Sequence, residues 1–114
     1  MKLKDFLQKL DETPEKIEFN TTIALIDSLY DFSPTSFKNG NLNNEAGQNS
    51  GSCKLFSFAL LHKLTVQQTL FCFGQYYQEV LDTPQKSDHQ NIRNFIASGW
   101  EQITFSNGAL VEKI

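Results

Sequence analysis

Cys53 and His89 are the residues whose types and settings most directly suggest chemistry. In Gly51-Ser52-Cys53-Lys54, Ser52 reads as a helix N-cap, which puts Cys53 at the first helical position. There the unpaired backbone N–H groups and the nearby Lys54 favour a thiolate, so the Cys53 thiol is expected below the ordinary cysteine range. The same N–H groups are placed to hold an oxyanion. His89 is the candidate base. It follows Asp88, read as the N-cap of a later helix, and precedes Asn91. A cysteine, then a histidine, then a polar partner is the chain order of a small thiol hydrolase or transferase. The competing reading is structural: small residues ordinarily precede helices, and free cysteine is among the most buried residue types. Cys72, between Phe71 and Phe73, reads as core.

The rival function is binding, to a protein or a small polar ligand. Asn39, Asn43, Asn44, Gln48 and Asn49 supply adaptable donors and acceptors, and Tyr30, Phe32 and Phe37 lie beside them in the sequence. Amides around aromatic anchors suit a contact surface. The same amides also cap turns. With Ser52, Asp88 and Asn91 they make up the expected binding residues. His62, His89, Cys53, Cys72 and Asp88 show no paired zinc spacing, so no metal site is expected. No phosphate-binding glycine loop, dinucleotide fingerprint or Gly-x-Ser-x-Gly elbow occurs, and no cofactor is expected.

The elements that must position these residues follow from periodicity. Leu3, Phe6, Leu7 and Leu10 form one face of an amphipathic helix. Pro14 opens a short helix after Thr13. A second helix starts at Asn20 or Thr21 and runs to about Leu29. Asp31 to Ser52 is loop chemistry, and within it Phe37 to Leu42 reads as a hairpin about an Asn39-Gly40 type I′ turn. A third helix, Cys53 to His62, is apolar nearly all round and is expected at the centre. Thr65-Val66-Gln67-Gln68 is a capping box opening a fourth helix to Leu81, with Gly74 as a kink. The fifth carries Ile92, Phe95 and Ile96 and stops at Gly99. Glu101 to Phe105 reads as a strand, with Ala109 to Val111 pairing back. The expected class is α+β, mainly α, with about five helices, a small antiparallel element from the hairpin and C-terminal strands, and one domain over residues 1–114.

Composition removes several function classes. The chain has 114 residues, a net charge of −3 and 12% aromatics, which suits one folded domain. An acidic balance with Arg93 as the lone arginine argues against general nucleic-acid binding. No apolar run approaches the ~20 residues of a membrane span. The two cysteines are too few for a secreted disulfide scaffold of this size, and the N-terminus lacks an apolar signal core, so cytoplasmic residence is expected.

Several strings resemble the HopJ type III effector family. They are Tyr30-Asp31-Phe32-Ser33-Pro34-Thr35-Ser36-Phe37, Asn39-Gly40, Asn43-Asn44-Glu45-Ala46-Gly47-Gln48-Asn49 and Gly51-Ser52-Cys53-Lys54. Further along come Thr69-Leu70, Cys72-Phe73-Gly74, Tyr76-Tyr77, Val80-Leu81, Asp88-His89-Gln90-Asn91-Ile92-Arg93-Asn94-Phe95 and Gly99-Trp100. The resemblance spans essentially the whole chain. It implies a small bacterial protein of a family named for effectors that type III systems inject into host cells. It carries over no reaction and no catalytic residue.

Overall fold

The computed structural model describes residues 1–113. Among these residues six α-helices and five short strands form an α+β fold that is mainly helical. Helix α1 (Leu3–Glu12) buries Phe6 and Leu10 from its apolar stripe. A 3-10 turn (Pro14–Lys16) leads to α2 (Phe19–Leu29), whose buried Thr22 donates from Oγ1 to the Cys72 carbonyl at 2.8 Å. Helix α3 (Ser50–Leu61) is the central helix expected from its all-round apolar character. Its Phe56 packs against Phe95 at 4.9 Å between ring centroids, Phe73 at 5.4 Å, and Phe37 and Trp100 at 6.1 Å. These tilted and edge-on contacts bury large apolar area and align ring quadrupoles favourably.

The expected fourth helix is two helices, α4 (Val66–Cys72) and α5 (Gln75–Asp82). The capping box at Thr65 and Gln68 opens α4 as the sequence indicates. Gly74 separates the pair, with φ of 59°. A Cβ at Gly74 would lie 2.4 Å from the Phe19 nitrogen, so the break is also where α2 crosses. This division raises the helix number above the expected five. Helix α6 is Gln90–Ser98, and Gly99 ends it with φ of 63°.

The sheets depart from a local hairpin pattern. Strand β2 (Phe37–Asn39) lies between β3 (Leu42–Asn44) and the distant β4 (Ile103–Phe105), both antiparallel. Strand β5 (Leu110–Glu112) does not pair back on β4. It pairs with β1 (Tyr30–Phe32), in the register Tyr30 with Glu112 and Phe32 with Leu110. The hairpin turn is also shifted by one residue. Asn39 ends β2, Leu42 starts β3, and the two-residue loop is Gly40-Asn41, with φ of 62° at Gly40. A positive-φ glycine at the first loop position follows the type II′ pattern rather than I′. Asn39 stays extended because its side chain, like that of Phe37, points into the protein while Lys38 faces out.

Gly74→Ala is expected to lower folding stability by more than about 2 kcal/mol, because the new methyl meets immovable backbone at a positive φ. Gly47→Ala, where φ is 90° and nothing lies within 4 Å, is expected to cost only about 1 kcal/mol of backbone strain. Denaturant midpoints of the two variants check the contrast.

Candidate functional site

Three asparagines with almost no exposure meet where the β2–β3 hairpin touches the start of α6. Asn39 Nδ2 donates to the Asn91 carbonyl at 2.8 Å and to Asn91 Oδ1 at 3.0 Å. Asn44 and Asn91 exchange amide bonds, with Asn44 Nδ2 to Asn91 Oδ1 at 3.1 Å and Asn91 Nδ2 to Asn44 Oδ1 at 2.9 Å. Asn49 Nδ2 adds a bond to Asn44 Oδ1 at 2.7 Å, and Asn94 Nδ2 donates to the Asn39 carbonyl at 3.0 Å. Asn39 Oδ1 is buried without a partner among the described residues. A buried amide left unpaired costs about 1–3 kcal/mol, so a network this connected fixes the relative position of its elements.

That positioning sets two helix starts side by side. Asn49, with φ of 51°, is the N-cap of α3, and His89, also with φ of 51°, is the N-cap of α6. Neither makes a side-chain cap bond. Ser52 and Asp88, expected as the caps, are therefore displaced. Ser52 lies within the first turn of α3, which begins earlier than the expected Cys53. Asp88 instead pairs its Oδ1 with Arg93 Nη2 at 2.8 Å, and this bond holds its carboxyl below the usual carboxylate range. Left-handed caps are uncommon for residues with a Cβ, and Asn and His are among the types that tolerate them best.

Between the two helix starts lies a cleft of about 310 Å³. Asn49, Ser52, His89 and Asn91 line it, together with Gln90. Its aromatic walls are Phe19, Phe73 and Tyr76, which pack against one another at 6.3 Å (Phe19 to Phe73) and 5.1 Å (Phe19 to Tyr76). His89 lies 5.3 Å from Tyr76, ring to ring, and its Nε2–H donates to Glu79 Oε2 at 2.8 Å. Sequence reasoning missed these walls. Their signal was the pair of glycines that let Phe19 in: a Cβ at Gly51 would fall 2.8 Å from the Phe19 ring, and Gly74 meets the Phe19 backbone.

The other expected residues lie elsewhere. Asn39 and Asn44 face the interior, Asn43 is exposed on β3, and Gln48 accepts from the Glu45 N–H at 3.0 Å within its own turn. Phe37 stacks on Phe105 at 5.1 Å, Tyr30 OH bonds His62 Nε2 at 2.7 Å, and Lys54 sits 5.0 Å over the Phe32 ring. The aromatic anchors suggested by the sequence are thus core and surface contacts outside the cleft.

Cys53 does not carry the expected thiolate. It is 2% exposed, and its Sγ faces the Thr35 carbonyl at 3.7 Å. Burial pushes its thiol up, against smaller opposing contributions from hydrogen bonds with the Thr35 backbone and the Ser57 side chain. Because α3 begins at Ser50, Cys53 lies past the first unpaired N–H groups, and its own N–H bonds the Asn49 carbonyl at 3.0 Å. No hydrogen bond joins Cys53 to His89 among the described residues. Cys72 is buried too, and burial pushes its thiol up to about 12. Among the described residues no group of three His, Cys, Asp or Glu side chains is disposed to hold a metal ion, and no helix is long and apolar enough to cross a membrane.

Fold and cleft together define a class: a small, mainly helical α+β protein with an aromatic and amide-lined recess held by a buried asparagine network. The sequence matches the model of the HopJ type III effector protein family over residues 3–110, and the chain belongs to that family. The fold is similar to the crystal structure of VPA0580, described as an unknown function protein, at 53% identity and a TM-score of 0.97, covering 99% of this chain and 95% of that one. No curated protein matches the sequence.

Asn91→Ala removes the side chain that bonds both Asn39 and Asn44, and is expected to cost about 1–3 kcal/mol of stability, because both buried amides lose a bond while keeping their links to the Asn91 carbonyl and to Asn49. Denaturant unfolding measures it. Both thiols are expected to resist alkylation between pH 7 and 8 until the protein unfolds; rapid labelling of Cys53 in the folded protein would contradict its burial.

Proposed function

We propose that this protein acts by binding a small ligand that pairs a ring with a neutral polar group, in the cleft between the starts of α3 and α6. The observation that carries the reading is the union in one recess of Asn49, Ser52, Gln90 and Asn91 with Phe19, Phe73 and Tyr76. Apolar walls supply contact area and a few polar atoms fix orientation, which is the usual division of labour in a ligand pocket, and the volume lies in the range of small-molecule sites. The Asn91 amide is taken up by the buried network, but the Ser52 hydroxyl and the Asn49 and Gln90 amide oxygens carry no bond of their own among the described residues, so a carboxamide on an aromatic ring is complementary to them. Burial of Cys53, with no hydrogen bond joining it to His89 among the described residues, favours binding over thiol catalysis.

Membership of a family named for type III effectors supports an effector-like role, exercised through the same cleft. For this chain we infer residence in the cytoplasm as a single folded domain. Its thiols are free and buried, and Phe6 and Leu10 anchor the N-terminal helix in the core, so threading through a secretion channel requires unfolding that core first.

Benzamide and related aromatic amides are the probes. They are expected to bind at roughly millimolar affinity and to shift the amide resonances of Asn49, Ser52 and Gln90 in NMR titration. Ser52→Trp, which fills the recess from its half-buried rim, is expected to abolish the shifts. Absence of binding, or binding that survives in Ser52→Trp, would remove the reading.

A further inference from the structure

The chain contains two Asn-Gly pairs, Asn39-Gly40 and Asn107-Gly108, and the fold treats them oppositely. We propose that Asn107-Gly108, in the turn between β4 and β5, is a site of spontaneous deamidation in the folded protein, while Asn39-Gly40 is locked against it. In this chemistry the backbone nitrogen of the glycine loses its proton to solvent base and attacks Cγ of the asparagine. The new C–N bond closes a succinimide, and the side-chain nitrogen leaves as ammonia. Water then opens the ring at either carbonyl, giving aspartate or isoaspartate. Only water is consumed, and nothing is oxidised or reduced. A following glycine favours the attack because it has no Cβ to hinder approach.

Every group the reaction needs is held at Asn39-Gly40. Asn39 is 0% exposed, and its Nδ2 makes two hydrogen bonds to Asn91. The attacking nitrogen, Gly40 N–H, donates to the Gln102 carbonyl at 3.0 Å. The Asn39 carbonyl is bonded by Asn94 Nδ2 at 3.0 Å. Rotation of the side chain onto its own backbone would break the buried network.

At Asn107-Gly108 none of these restraints exists among the described residues. Both residues are exposed, and neither the Asn107 amide nor the Gly108 N–H has a hydrogen-bond partner there. A Cβ added at Gly108 would meet nothing within 4 Å. The product has consequences for its surroundings. Isoaspartate inserts an extra carbon into the main chain shortly before β5, which pairs with β1. Either product sets a carboxylate beside the apolar groove formed by Leu60, Leu61, Ala109 and Leu110.

Folded protein held at mildly alkaline pH and 37 °C, followed by peptide mapping and mass spectrometry, tests the proposal. The peptide bearing Asn107 is expected to gain the mass difference between amide and acid and to split into aspartate and isoaspartate forms, while the Asn39 peptide stays unchanged. In denaturant both are expected to convert at comparable rates. Gly108→Ala, which meets open space, is expected to fold and to slow conversion at Asn107 by at least about tenfold. An Asn107 that stays intact in the folded protein but converts in denaturant overturns the proposal. So does an Asn39 that converts as fast as Asn107 while folded, or one that stays intact in denaturant.

Discussion

Asn39, Asn44 and Asn91 are buried amides that must satisfy one another, and the functional geometry depends on that constraint. Two come from a short hairpin and the third from the first turn of a helix far along the chain, yet their bonds run from 2.8 to 3.1 Å. An apolar contact would tolerate sliding, whereas amide pairs have direction and distance requirements. The hairpin therefore meets α6 in one register, and Asn49 extends the network to the start of α3. The cleft is the space left between two helix starts whose separation is set this way.

The aromatic side of the recess depends on a different restraint. Phe19 is admitted by two glycines, with its ring against Gly51 and its backbone against Gly74. The Phe19 N–H is bonded by Gln75 Oε1 at 3.0 Å, which ties α2 to the start of α5. One residue thus links three helices and also supplies a wall of the cleft. The polar and apolar halves of the site are fixed by separate means.

Helical periodicity was legible because it is local: the stripe through Leu3, Phe6 and Leu10, the capping box at Thr65, and the stop at Gly99 all depend on neighbours in sequence. The caps at Asn49 and His89 were not legible. Capping preference selects Ser52 and Asp88 by their side-chain oxygens, whereas the actual caps are left-handed residues that use no side-chain bond. Misplacing the start of α3 moved Cys53 from the interior to an imagined helix end, and the thiolate expectation followed from that shift. The asparagine-rich segment was recognised as special, but for exposed contact. Its amides include several turned inward, a distinction that depends on α6 and cannot be read within the segment itself. The pairing of β1 with β5 was hidden for the same reason, since each strand is short and its partner is far away in the sequence.

The sheet order has a consequence for synthesis. Strand β2 takes β4 as its second neighbour, β1 takes β5, and the hairpin amides take Asn91 and Asn94, so the β1–β3 segment draws part of its pairing from the C-terminal part of the chain. A ribosome releases the early segments first, and long-range pairings carry a loop-closure cost before they return any stability. Strands β1 and β2 thus leave the ribosome with their partners β5 and β4 still untranslated. The early helices can associate as they emerge, but a chain stalled short of residue 90 lacks Gln90 and Asn91, and with them one side of the cleft and the partner that holds the hairpin amides.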